Sequence, residues 1–91
     1  RGAKLAECNL ARTTFRRANL ESASLWNTDC KDACFDYANL ESVDFDFSNL
    51  DGVTLRRAKI RKAVFPLSDV ALEDVKRAVS HGTRLRMVRK D

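Results

Sequence analysis

Residues 3–65 read AKLAE CNLAR TTFRR ANLES ASLWN TDCKD ACFDY ANLES VDFDF SNLDG VTLRR AKIRK AVF. Every fifth residue is large and apolar: Leu5, Leu10, Phe15, Leu20, Leu25, Cys30, Phe35, Leu40, Phe45, Leu50, Leu55, Ile60 and Phe65, thirteen positions without a slip. Two residues before each stands a small one, from Ala3, Cys8 and Thr13 through to Ala58 and Ala63. A fixed period has to be read before any local propensity. Five fits neither regular element. In an α-helix, five residues advance the apolar position by roughly 140°, which smears it around the axis. In one straight strand an odd period throws successive large residues to opposite faces. What survives is three extended residues whose first and third side chains point inward, then a two-residue corner. Repeated in one sense, that unit winds a narrow solenoid with an apolar interior.

Ala18-Asn19-Leu20-Glu21-Ser22 and Ala38-Asn39-Leu40-Glu41-Ser42 match the pattern A-(D/N)-L-x-x outright, and Ser48-Asn49-Leu50-Asp51-Gly52 nearly so. At these residues the sequence resembles the pentapeptide-repeat family. The resemblance covers about residues 1–65 and implies an all-β solenoid, a right-handed quadrilateral β-helix with four units per coil and about three coils. Family members include topoisomerase-binding resistance proteins, secreted effectors and scaffolds, so the resemblance implies a fold more firmly than a task.

At 91 residues the chain is sized for one small domain, where a globular core is marginal but a solenoid needs only burial between neighbouring coils. The expected division is residues 1–66 as the β-helix and 67–91 as a capping helix with a basic tail. No run of about 18 apolar residues exists, so no membrane span is expected. The start inside a repeat, without an initiating Met, suggests a trimmed chain or a piece of a longer one. Cys8 and Cys30 take inward slots and Cys34 an outward one. Without a C-x-x-C and with a single His, zinc has no ligand set. Structural thiols suit a reducing compartment, so a cytoplasmic location is expected, with no metal and no cofactor.

Charge is segregated along the chain. Arg1, Lys4, Arg12, Arg16 and Arg17 face only Glu7, a local +4. From Ala18 to Leu55, eight acids (Glu21, Asp29, Asp32, Asp36, Glu41, Asp44, Asp46 and Asp51) stand against Lys31, a net of −7. Eleven cations against four acids then give +7 from Arg56 onward, and the whole chain carries +4. The central acids read either as a solvated surface or as a functional belt. Residues twenty apart should stack roughly 4.8 Å apart. That makes one column Arg16-Asp36-Arg56, an ion ladder, and its neighbour Arg17-Tyr37-Arg57, an aromatic ring between two guanidiniums. Trp26 and Phe47 fall in outward slots and should be neighbours, with Ala6 and Leu67 in the same two columns. Clustered outward aromatics are enriched at interfaces, although the tail could also fold over them.

After Pro66 the period changes. Ala71, Leu72, Val75, Ala78 and Val79 share one face of a helix, Ser68 or Asp69 can cap its start, and Gly82 suits a left-handed stop. Leu72, Val75 and Val79 are therefore the candidate face for closing the end of the solenoid. Thr83 to Val88 alternates basic and apolar residues, as a short edge strand or extended tail would. This ending is similar in character to that of the quinolone-resistance pentapeptide proteins, in which the terminal segment forms the homodimer contact. The resemblance thus implies a homodimer through an end of the solenoid.

No Ser/His/Asp order, nucleophile elbow or Gly-rich phosphate loop is present, and a convex solenoid gives paired acids such as Asp44 and Asp46 no pocket. A non-catalytic scaffold that docks a protein partner or other domains of a longer chain is the leading expectation, with Trp26, Phe47 and Leu67 as its surface. The alternative is a DNA mimic that binds gyrase or topoisomerase IV, with Asp29, Asp32, Asp36, Glu41, Asp44, Asp46 and Asp51 standing in for phosphates. Direct nucleic-acid binding, with Arg56, Arg57, Lys59, Arg61, Lys62 and the tail on phosphates, ranks last, because aromatic interleaving is absent near them.

Overall fold

In the computed structural model, which describes residues 4–87, the chain rises as a solenoid. Parallel β-bridges join residues twenty apart, in the order Lys4–Ser24, Asn9–Asp29, Thr14–Cys34, Asn19–Asn39 and onward to Asp44–Val64. Twenty residues with a corner every five make a four-sided coil. Each side contributes one bridge residue, because two inward positions and a corner leave only the middle residue free to register with the next coil.

Backbone hydrogen bonds follow the same period. From Leu5 to Phe45 the amide of each large inward residue donates to the next coil, as in Leu25 to Asp44 O and Phe35 to Thr54 O, both at 2.9 Å. The mid-side amide donates the other way, as in Asn49 to Thr28 O at 2.9 Å. The corners close on i to i+3 bonds, for example from the Ala33 amide to Cys30 O at 2.9 Å, except after Leu25, where the Thr28 hydroxyl rather than its amide donates to Leu25 O. The third residue of the corner takes positive φ, from Glu7 at 64° to Lys62 at 62°, as type II turns do. Gly52, at 77°, is the one corner glycine. A β-carbon there would meet the Asp32 carboxylate.

The interior is continuous. Leu25, Cys30, Ala33, Phe35, Leu40, Val43 and Phe45 are fully buried. Phe15 stacks on Phe35 at 5.1 Å, Phe35 meets Phe45 edge to face at 5.5 Å, and Phe45 stacks on Phe65 at 5.4 Å. Thr28 and Ser48 are buried polar residues in the small column. Their hydroxyls lie 3.0 Å apart, each also donates to Leu25 O, and the Ser48 Oγ receives the Thr28 amide. Among the described residues no buried side-chain nitrogen or oxygen lacks a partner.

The first coil differs from the others. Leu5, Leu10 and Phe15 are only half-buried, and Cys8, expected inside, is exposed. Cys8 does occupy an inward slot, but no described coil covers that side of it.

Helix α1 runs Leu72–His81. Its start differs from expectation. Asp69 and Val70 donate their amides to Pro66 O in a preceding turn, so Ser68 and Asp69 lie before the helix, and Ala71 takes the N-cap position with no side-chain bond. Gly82 ends α1 as expected, at φ 74° with its amide on Ala78 O. Val75 and Ala78 are fully buried and Val79 is half-buried, but Leu72 remains 48% exposed, so contact is made by the later turns alone.

The segment after α1 joins the last coil. The Gly52 amide donates to Leu85 O at 2.8 Å, Leu85 returns a bond to Val53 O at 2.9 Å, and the Arg57 amide donates to Val79 O at 2.9 Å. Leu85 is fully buried in the same core as Val75 and Ala78. Val88, the last residue of the expected extended segment, lies outside the described residues, as do Arg1 and Ala3.

Candidate interaction surface

Corners and mid-sides are the only outward positions a coil offers, so any surface must be built from them. Trp26 is the second residue of a turn and Phe47 the third residue of the equivalent turn in the next coil. Their rings meet edge to face at 5.7 Å and an angle of 75°, with 39% and 67% of each residue exposed. Phe47 sits at φ 61°, but so does every residue at its corner position, so that backbone strain belongs to the repeat. Leu67 is 56% exposed. The last bridge is Asp44–Val64, so the register that would stack Leu67 on Phe47 stops short of it.

Val64 is a residue that sequence reasoning passed over. It is bridged to Asp44, three residues before Phe47, and is 48% exposed. Its signal was present: every other mid-side position from Lys4 to Lys59 holds a polar or small residue. Trp26, Phe47 and Val64 thus lie on successive coils along one side, and the carboxylates of Asp44 and Asp46 border them.

Most of the acidic belt is engaged with backbone. Asp29 accepts the Lys31 amide at 3.2 Å, Asp44 accepts Asp46 at 2.9 Å, Asp46 accepts Phe47 at 3.2 Å, Asp36 accepts Arg56 at 2.9 Å and Asp51 accepts Met87 at 3.1 Å. Asn9, Asn39 and Asn49 make the same i to i+2 bond as Asp29 and Asp44, at 3.0 to 3.1 Å. This is the physical reason for Asp or Asn at the mid-side of the repeat: a short side-chain acceptor ties down the entry to the corner. Asp32 and Glu41 remain, and Asp32 is exposed beside Gly52.

The expected ion ladder does not form. Asp36 takes the Arg56 backbone amide instead of a guanidinium, and both Arg16 and Arg17 place their guanidinium carbons 5.0 Å from the Tyr37 ring centre. Arg57, the expected lower partner of Tyr37, makes no such contact. Ion pairs between described residues are confined to Arg77, with Glu73 at 3.9 Å and Asp74 at 3.3 Å, both exposed and worth little.

Cys30 lies 3.0 Å from Thr28 Oγ1. Burial raises its pKa from 9.0 to about 11, with the hydroxyl opposing and the nearby Asp29 charge adding to the rise. It is therefore a neutral, unreactive thiol at physiological pH. Among the described residues no group of three His, Cys, Asp or Glu side chains could hold a metal ion, and no helix is long and apolar enough to cross a membrane.

A family model described as pentapeptide repeats (8 copies) matches over residues 1–35, 24–61 and 38–71. A search of curated proteins found no match. Among solved structures, the 1.7 Å crystal structure of a pentapeptide repeat protein from the thylakoid lumen of Arabidopsis thaliana is similar, with 28% identity over 68% of this chain and a TM-score of 0.40. The chain spans 50% of the length of that protein. With the five-residue period, the twenty-residue bridge register and the matched repeats all in agreement, this chain belongs to the pentapeptide-repeat family.

Proposed function

We propose that the chain is a non-catalytic scaffold whose task is to hold a protein-docking surface on a rigid rod. Trp26 and Phe47 form the centre of that surface, with Val64 beside them and Asp44 and Asp46 at its rim. One observation carries the reading: two aromatic rings that support each other edge to face while keeping 39% and 67% of their residues exposed. Such rings bury large area at low entropic cost when a partner covers them, and the acidic rim favours a partner with basic residues around an apolar anchor. Helix α1 and the segment through Leu85 close the far end, since they satisfy the Gly52 and Arg57 amides that a further coil would otherwise take.

The topoisomerase-mimic reading has less support, because five of its seven carboxylates serve the backbone. A photo-crosslinking residue at position 47, introduced into the protein in its native cell, tests the docking reading. The expected result is one identified adduct that disappears with Trp26→Ala and is not formed from position 42. Equal adduct yields from positions 47 and 42 would refute it.

A further inference from the structure

The side of the last coil between its third and fourth corners carries Arg56, Arg57, Lys59, Arg61 and Lys62, all exposed, while Ala58 and Ile60 between them turn inward. No described carboxylate forms an ion pair with any of the five, since the described pairs are those of Arg77. The coil before it places Tyr37 over this row, its amide bonded to Arg56 O at 2.7 Å and 37% of the residue exposed. Arg16 and Arg17 then approach the ring from the first coil. Folding therefore supplies the aromatic that the linear sequence around residues 56–62 lacks. Seven cations share this side with Glu21, Asp36 and Glu41, and Asp36 is already bonded to the Arg56 amide.

We infer that this side binds single-stranded nucleic acid, with the five cations of the last coil on the phosphates and Tyr37 against a base. Three features point to that ligand. Unpaired guanidiniums prefer phosphate oxygens and hold them in a two-pronged bond. A cationic row beside an exposed ring is how single strands are held without sequence preference. An anionic membrane, by contrast, calls for apolar anchors among the cations, and the exposed apolar residues Trp26, Phe47 and Val64 lie on another side of the rod. The inference is independent of the docking surface, since the two share no residue.

The test is fluorescence anisotropy of a labelled oligothymidylate of about 20 nucleotides, with a duplex of equal length and phosphatidylglycerol vesicles as separate arms. Five phosphate contacts predict that log K falls with log salt at a slope of about −3.5. Replacing Arg57, Lys59, Arg61 and Lys62 together by Gln should weaken binding more than tenfold, while Lys76→Gln leaves it within twofold. Tyr37→Leu should weaken the single strand at least fivefold and the duplex much less. Thermal melts confirm that each variant is folded. A slope near zero, equal losses from Lys76→Gln and the quadruple variant, or binding to vesicles but not to oligothymidylate would overturn the inference.

Discussion

Phe35→Ala tests whether stability in this rod is set by position along the axis. Phe35 is fully buried and touches Phe15 on one side and Phe45 across the interior. Its backbone is bonded to the next coil through Thr54 O at 2.9 Å, and the neighbouring Cys34 amide to the previous coil at Thr13 O. The walls of the resulting cavity are therefore held on both sides and cannot close. Phe-to-Ala changes of this kind cost about 3–5 kcal/mol, and the lack of collapse places Phe35 toward the upper end, near 4. Phe15 has the same chemistry and is itself the ring stacked on Phe35, but it is half-buried in the first coil. Phe15→Ala should cost only about 1–2 kcal/mol, mostly transfer energy. The assay is urea unfolding followed through the single tryptophan, Trp26, which lies between these two residues in the chain. For a domain of this size, about 4 kcal/mol corresponds to a fall of roughly 15–30 °C in melting temperature. If the two variants lose stability within about 1 kcal/mol of each other, burial is not graded along the rod and the reasoning fails.

Two further outcomes follow from other parts of the molecule. Because burial raises the Cys30 thiol from 9.0 to about 11, the folded state keeps a proton that the unfolded state loses, so this contribution is fully present below pH 9 and is lost as pH rises toward 11. The loss reaches about 2.5 kcal/mol, and urea titrations at stepped pH should show it in the parent but not in Cys30→Ala; parallel curves would disprove it. At the mid-side of the repeat, Asp44→Ala should cost about 1 kcal/mol by releasing the Asp46 amide, whereas Asp44→Asn, which keeps the acceptor, should cost little. Equal losses in the two variants would mean that charge, rather than the corner bond, is what Asp44 contributes.

Much of the architecture was legible because the repeat states it thirteen times over. A period of five excludes helix and straight strand on geometry alone, and the pairing of small with large positions names the inward residues. The closeness of Trp26 and Phe47 followed from the same register. The exposed Cys8 and the half-buried Leu5, Leu10 and Phe15 did not, because the repeat describes a coil covered on both sides, whereas the first described coil is covered on one.

The belt of acids was legible as charge but not as structure. Whether a carboxylate faces solvent or a backbone amide depends on a rotamer, and only the folded corner places the Lys31, Asp46 and Met87 amides within reach of Asp29, Asp44 and Asp51. The guanidiniums around Tyr37 show the same thing. The column register puts Arg17, Tyr37 and Arg57 in line, but long side chains choose among neighbours, and Arg16 takes the ring where Arg57 does not.

By itself the sequence determined the coil, its interior and its twenty-residue register, since these follow from periodicity and steric exclusion within a few residues. Only the tertiary structure decided how the rod ends and what its outward residues do. Helix α1 meets the last coil through Val75 and Ala78 while Leu72 overhangs, the segment through Leu85 bonds to Gly52 and Val53, and the Arg16 and Arg17 guanidiniums both settle on the Tyr37 ring. Those outcomes depend on contacts between segments far apart in the chain, and no local period encodes them.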